Sequence, residues 1–454
     1  MQSRFVVSVL RQLVLLVGLD QQVLPNLLLR SWSVGAGVVM IAFMPTWLTE
    51  VEQGYFYTFA SLLALQVFFE LGMNQVVVQL VSHEAAHLNH TEAGTLDGEA
   101  NRLDRLGSLV QRLDRWYSAA AFLFFLLVSV CGGLFFSILG EGSFDPLWVT
   151  WLLLTVSTAT NLRLSASLAV LEGCGQISAV TRMRLVQAVI GSILTWLTMS
   201  VGGGLWAMPL LPCVAAIFSY FWIRRNGHVL SALRHRALDK SVHSHIDWRR
   251  DIFPFQWRIA VSWVSGYFIY QLFTPLAFAK LGPIEAGRLG MSLAVFGALL
   301  SVGLAWINGK VPAMAALVSR SERGSLNALF LGAMKRSMLF VLVGSVAILV
   351  GLVVLAKMDV VLVYRFSTLP VASCLAVVTV ANSFIYAAAA YMRSHKAEPM
   401  MWPSIVSGVL VLVGAVVGSS YGVLTMMALY TLVGLCVALP WTLILFMGYY
   451  RRTV

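Results

Sequence analysis

Charge is the scarcest property of this chain. Only 11% of its 454 residues are Asp, Glu, Lys or Arg, against 59% that are apolar. A soluble domain carries about a quarter charged residues. The shortage excludes an ordinary water-facing surface and points to lipid as the surrounding solvent, which requires the outside of the protein to be apolar as well. Cysteine is also scarce. Cys131, Cys174, Cys213, Cys374 and Cys436 lie in or beside apolar stretches, are odd in number and form no C-x-x-C pair. They read as small buried hydrophobes, not as a disulfide framework or a zinc site. There is no G-x-x-x-x-G-K-[ST] run, which argues against an internal ATPase. No Ser-His-Asp set or carboxylate pair stands out, and the chain is read as a non-enzyme. His83, His87 and His90, with Glu84 and Glu92, fall in a stretch, 82–114, that reads as a solvated polar loop. Their spacing fits no zinc pattern, so no metal is expected.

What is abundant is apolar sequence in runs of membrane length. A crossing helix needs about 20 such residues. Twelve segments qualify, over 24–48, 53–80, 116–140, 147–172, 179–201, 205–223, 254–279, 286–316, 334–356, 369–391, 400–419 and 422–448. The fold class expected is therefore all-α integral membrane, multi-pass.

The net charge of +11 would suggest nucleic acid in a soluble protein. Here it reads as topology, because cytoplasmic loops collect Lys and Arg, and no nucleic-acid partner is expected. Alternate turns hold only Lys280, Arg288, Lys357 and Arg365. The others hold Arg102, Arg105, Arg112 and Arg115, then Arg182 and Arg184, Arg320, Arg323, Lys335 and Arg336, Arg393 and Lys396, and finally Arg451 and Arg452. The alternation persists through all twelve segments and places both termini in the cytoplasm. Residues 1–23, with Arg4 and Arg11 in an apolar stretch followed by Asp20 and two glutamines, read as an uncleaved amphipathic segment on that surface. A basic linker, 224–253, separates a six-helix lobe, 24–223, from a second, 254–454. The lobes echo each other. Trp32-Ser33-Val34-Gly35, Met44-Pro45 and Glu52-Gln53-Gly54 correspond to Trp263-Val264-Ser265-Gly266, Thr274-Pro275 and Glu285-Ala286-Gly287. Six is even, so such a repeat is parallel, with its axis along the membrane normal.

Several stretches, in order, carry a family likeness. They are Gly54-Tyr55-Phe56-Tyr57 followed by Glu70-Leu71-Gly72-Met73, Leu171-Glu172-Gly173-Cys174-Gly175, the run from Trp257 through Pro275 to Gly290, Tyr391-Met392-Arg393 through Glu398-Pro399, and Tyr421-Gly422-Val423. In these the chain resembles the polysaccharide-transport, O-antigen flippase branch of the multidrug/oligosaccharidyl-lipid/polysaccharide (MOP) exporter superfamily. The resemblance implies two six-helix lobes around a central cavity in a bacterial cytoplasmic (inner) membrane. It implies alternating access and the flipping of a polyprenyl-pyrophosphate-linked oligosaccharide, the repeat unit of an O-antigen, capsule or exopolysaccharide. A polysaccharide polymerase or glycosyltransferases would be the protein partners. No cofactor is implied beyond a coupling H+ or Na+. A cation-coupled multidrug or small-solute antiporter of the same superfamily is the alternative. A non-transport component of polysaccharide synthesis is disfavoured by the short external turns.

Such a substrate asks for cations at the pyrophosphate, and for amides, hydroxyls and aromatic faces at the glycan. Arg30, Arg163, Arg258 and Lys310 lie towards the inner leaflet, where they either bind phosphate oxygens or snorkel to the interface. Gln66, Glu70 and Asn74, at a spacing of four, would share a helix face looking inward. Glu70 could pair an arginine or bind a coupling cation. Tyr267, Gln271 and Thr274 form a stripe with Tyr270 beside it, and Asn382 and Tyr386 follow at i and i+4. Ser301 and Asn308 read as interhelical hydrogen-bonding groups. The substrate-binding candidates are thus Arg30, Arg163, Arg258, Lys310, Glu70, Asn74, Tyr267, Tyr270, Gln271, Asn382 and Tyr386.

Overall fold

The computed structural model describes residues 23–91, 95–140, 145–238, 253–395 and 399–452. Nearly all of segment 1–23, and 239–252 of the expected linker, lie outside the described residues. Almost everything else is helical, as lipid requires of a backbone that finds no water. Among the described residues, nine helices are long and apolar enough to cross a bilayer, or ten if the bent pair Glu50–Glu70 and Met73–Ala85 is one span. All twelve expected segments fall on helical residues. Two of them share the stretch Leu147–Ser200, and one is divided into Phe253–Tyr270 and Phe273–Leu281. The outward residues include Phe122, Ile138, Val346 and Ile444, all exposed, a surface matched to acyl chains.

Two compact units emerge. One takes residues up to Met40, Gly72–Ser129 and Val149–Gln256; the other takes Ile41–Leu71, Val130–Trp148 and Trp257–Val454.

The first unit contains the start of α1 (Val23–Trp47), the broken pieces α2 (Glu50–Leu63) and α3 (Val67–Glu70) being left to the second unit, then α4 (Met73–Ala85) and a two-residue hairpin, β1 (Asn89–His90) with β2 (Leu96–Asp97). Most of α5 (Ala100–Leu139) and α6 (Asp145–Leu171) follows, with α7 (Ile177–Ser200), α8 (Leu210–Asn226) and α9 (His228–Leu238). Between α6 and α7 a π-helical turn, Glu172–Gln176, contains Gly175 at φ 89°, a conformation glycine adopts without a Cβ penalty. α5 is 40 residues long, about 60 Å, twice the hydrocarbon thickness. The stretch expected to be a polar loop, 82–114, is mostly this helix and the end of α4. The reason is periodic: Leu103, Leu106, Leu109, Val110 and Leu113 recur every three or four residues and are all buried, while the charges between them kept the stretch below a membrane-span threshold. The first part of the expected linker is likewise helical. α9 is tied along α5 by Arg236 donating to Asp104 at 2.6 Å and Arg234 donating to Asp114 at 2.7 Å, with Val229, Leu230 and Leu233 buried.

The second unit contains α2 and α3, α10 (Phe253–Tyr270), α11 (Phe273–Leu281), α12 (Pro283–Gly303), α13 (Ala305–Asn308) and α14 (Val311–Ser319). α15 (Arg323–Lys357), α16 (Leu369–Ser394), α17 (Met401–Ser419), α18 (Val423–Val433) and α19 (Leu439–Arg452) complete it. α2 starts at a capping box: Thr49 accepts from the Glu52 N–H, and Glu52 accepts from the Thr49 N–H at 2.9 Å. α2 and α12 then meet backbone to backbone. A Cβ on Gly54 would collide with the Pro283 carbonyl, one on Gly287 would come within 2.8 Å of the Gly54 nitrogen, and one on Gly290 would enter the Tyr57 ring. Gly54 and Gly287 are the paired glycines of the sequence echo.

Three helices expected to be continuous are broken, and each break has a local cause. Leu71 (φ 50°) and Gly72 (φ 66°) are left-handed, so Gln66, Glu70 and Asn74 do not share one helical face. Pro275 has no N–H for the Gln271 carbonyl, and α10 stops one turn before it, dividing the Tyr267–Gln271–Thr274 stripe. Pro312 does the same to Asn308, and the run 286–316 is interrupted at Leu304 and at Gly309–Lys310. Ser301 and Asn308 are both exposed there.

The glycine contact predicts that Gly54→Val lowers stability by roughly 1–3 kcal/mol through overpacking. Gly35→Ala, where a Cβ meets nothing within 4 Å, should be neutral. Thermal unfolding of both variants in detergent checks this.

Candidate functional site

The second unit holds two adjoining cavities that share Tyr270, Asn382 and Tyr430. One, of about 140 Å³, lies among α10, α16, α17 and α18–α19 and reaches Ser404, Ser407 and Arg393. The other, of about 340 Å³, lies among α2, α10–α12, α16 and α18 and reaches Tyr57, Gln271 and Thr274. The dividing wall is built from aromatic faces and amides. Tyr270 and Tyr386 stack at 6.1 Å between ring centroids, with their planes 28° apart. Asn382 Nδ2 donates to the Tyr430 hydroxyl at 3.2 Å, and Tyr430 leans on Phe273 at 4.8 Å. Ser407 Oγ is buried with no partner among the described residues, a polar atom held ready at the cavity edge. The break at Gln271–Leu272 lets Tyr270 face both cavities while Gln271 faces only the larger. A π-helical turn, Gly434–Ala438, contributes two of the smaller cavity's lining residues, Gly434 and Ala438. No Asp or Glu lines either cavity among the described residues.

Of the expected site residues, Tyr270, Asn382 and Tyr386 come together, with Gln271 alongside. Tyr267 does not join them; it is buried edge-on against Phe68 at 5.3 Å. Tyr57, Tyr430 and Arg393 belong to the cavities and were not among the candidates. Arg393 had signalled only loop charge, and a buried tyrosine in an apolar run is indistinguishable from core. The remaining candidates are dispersed. Arg30 and Lys310 are exposed. Arg163 donates to Asp114 at 3.2 Å, and Asp114 also accepts two hydrogen bonds from Arg234, at 2.7 and 3.0 Å. Arg163 is therefore paired, not a bare cation. Asn74 accepts from the Tyr117 hydroxyl at 2.8 Å. Glu70 is half-buried and engaged with neighbours. Arg258 lies on α10, but its side chain is outside the described residues.

The second unit also carries a polar clasp at the end read as external. Gln53 is 1% exposed, and its Nε2 donates to the Gly287 carbonyl at 2.9 Å and the Arg365 carbonyl at 3.0 Å. The Arg365 guanidinium, itself buried, donates to the Leu48 carbonyl at 2.7 Å and the Pro45 carbonyl at 3.2 Å. Those carbonyls end α1, where no intrahelical donor remains and the dipole favours a cation. Arg288 joins Glu50 at 3.2 Å, Glu285 at 3.0 Å and the Tyr364 carbonyl at 2.9 Å. The sequence signal for this clasp was the presence of two arginines in turns otherwise nearly free of cations.

No family model matches the chain, and no curated protein matches it. Solved structures do. An inward-facing multidrug resistance MATE family transporter of the MOP superfamily aligns with a TM-score of 0.56 at 14% identity, over 95% of this chain and 96% of the other. The lipid II flippase MurJ, in an inward closed conformation, aligns at 0.57 and 11% identity, over 95% of this chain and 89% of that one. The eukaryotic MATE transporter AtDTX14 aligns at 0.58 and 12% identity, over 96% and 99%. The chain thus has the two-lobe, multi-pass fold of MOP-superfamily transporters.

The clasp predicts a change in access. In a cysteine-free background, Ser61→Cys reports on the larger cavity, which Ser61 lines. Adding Arg365→Ala removes charge-assisted hydrogen bonds worth about 1.5–3 kcal/mol. Labelling by an impermeant maleimide from the external side should then accelerate about tenfold or more, and an unchanged rate would show that the clasp does not control access.

Proposed function

We propose that this chain flips a polyprenyl-pyrophosphate-linked oligosaccharide across the cytoplasmic membrane of a bacterium by alternating access. The observation that carries this reading is the chemistry of the paired cavities: tyrosine faces, amides and hydroxyls, one arginine at the rim and no carboxylate among the described lining residues. Sugar rings use aromatic faces and hydrogen-bonding groups. An anionic pyrophosphate uses arginine. A cationic drug inside a membrane is best served by a carboxylate, which these cavities do not offer. In this reading Tyr270 and Tyr386 carry the glycan face, Asn382 and Gln271 bind its hydroxyls, and Arg393 meets the pyrophosphate. Arg30, Arg258 and Lys310 collect the headgroup at the inner leaflet, and Glu70 is the candidate for a coupling H+ or Na+. A polymerase or glycosyltransferase would supply or consume the lipid-linked unit.

The fold is shared by the MurJ flippase and by multidrug transporters, so the second reading is a cation-coupled drug antiporter, supported by the half-buried Glu70 and by the cation affinity of tyrosine rings. A deletion strain separates the two. Under the flippase reading, complete lipid-linked repeat units accumulate and wild-type protein clears them. Tyr386→Ala and Asn382→Ala should each reduce clearance about tenfold at normal protein abundance, the effect of losing roughly 1.4 kcal/mol of contact. An unchanged lipid-linked pool with altered sensitivity to cationic drugs would overturn this reading in favour of the antiporter.

A further inference from the structure

A third polar cavity, of about 270 Å³, lies at the end of the second unit read as cytoplasmic and shares no lining residue with the tyrosine cavities. That volume far exceeds the ~15 Å³ that one water needs. Its polar wall comes from three separate elements. The turn between α14 and α15 supplies Ser321 and Arg323, the residue after α16 is His395, and α19 brings Tyr449. Its floor is apolar, formed by Leu317, Val318 and Leu326.

Each part is held in place. The Glu322 N–H donates to the Leu317 carbonyl at 3.0 Å and the Ser321 N–H to the Val318 carbonyl at 3.1 Å, the paired bonds of a Schellman turn. Ser321 occupies the left-handed position at φ 59°, where glycine is the usual residue. Arg323 then opens the 35-residue α15, whose N-cap, Glu322, makes no side-chain capping bond. The positive dipole end of α15 therefore lies beside the cavity, which Arg323 and Leu326 of its first turn line. The His395 ring lies 5.2 Å from Tyr391 and 5.8 Å from Tyr449 between centroids. Its Nε2 is buried without a partner among the described residues. Burial holds the imidazole below its ordinary pKa, so at neutral pH it is an uncharged hydrogen-bonding group and Arg323 supplies the standing charge. Arg323 is exposed and forms no ion pair among the described residues. Glu322, the acid of the turn, is also exposed.

We infer that this cavity binds the phosphate headgroup of an anionic phospholipid, with Arg323 and His395 on the phosphate oxygens, Ser321 beside them and the glycerol end over the leucine floor. Two features select a lipid over a free anion. The apolar floor has no use for inorganic phosphate, and the site lies at the ends of membrane-spanning helices, where headgroups are concentrated and basic pockets between helices recognise them. The inference does not depend on what the tyrosine cavities carry.

The test uses the full chain in nanodiscs of phosphatidylcholine with or without phosphatidylglycerol, read by native mass spectrometry and by thermal unfolding. Wild type should retain phosphatidylglycerol and gain thermal stability from it. Arg323→Ala and His395→Ala should each weaken retention about tenfold, whereas Arg320→Ala, an exposed neighbour outside the cavity, should not. Ser321→Gly suits the left-handed backbone, so it should fold at least as stably as wild type while retaining less lipid. Retention by Arg323→Ala and His395→Ala equal to wild type overturns the proposal. A stability gain from inorganic phosphate as large as that from phosphatidylglycerol also overturns it, and assigns the cavity to a free anion.

Discussion

The second unit depends on one close approach, the crossing of α2 and α12 at Gly54 and Gly287. Lipid supplies no hydrophobic drive for helices to associate, so packing and polar contacts must do it, and small residues let backbones approach. Once the backbones touch, Gln53 can reach the Gly287 carbonyl and the Arg365 carbonyl together. Arg365 in turn can cap α1. The Gln53 bond to Gly287 presupposes the glycine contact, because a Cβ on either glycine would separate the carbonyl and amide that it joins. The two glycines occupy equivalent places in the sequence echo.

The membrane class and the positions of the helices were legible because lipid imposes them on composition and length. The echo made Gly54 and Gly287 visible as equivalents, though not as neighbours. What hydropathy hid were helices whose amphipathic faces pack on protein, such as the start of α5 with Leu106 and Leu109, and α9 with Val229 and Leu230. Spacing arguments failed wherever the helix broke. The left-handed Leu71 and Gly72 separate Glu70 from Asn74, and Pro275 separates Tyr267 from Thr274. The prolines were visible in the sequence, and their cost to the preceding carbonyl could have been applied to the stripe. The pairing of Arg163 with Asp114 and Arg234 joins residues up to 120 positions apart, which spacing does not encode.

Ionisable groups are distributed differently around the first unit's helices and the tyrosine cavities. In the first unit carboxylates hold arginines: Asp114 holds Arg163 and Arg234, Glu84 holds Arg102 and Arg105, and Glu172 holds Arg184. Such pairs fix neighbouring segments. The tyrosine cavities of the second unit instead present hydroxyls, an amide and a rim arginine without a lining carboxylate. A neutral polar wall of this kind can grip many hydrogen-bonding groups weakly.

The π-helical turn at Gly434–Ala438 has a consequence for the phase of its helix. Tyr430 and Thr442 both line the smaller cavity. Twelve residues of ideal α-helix would set them about 120° apart, on different faces. The wider turn absorbs about one residue and brings the difference to about 20°. The orientation of Thr442 therefore depends on the turn staying wide. Closing it into ordinary α-helix at full length would rotate everything after Ala438 by about 100° away from the cavity, whereas a single-residue deletion that removes the wide turn would leave eleven α-helical steps and the same phase.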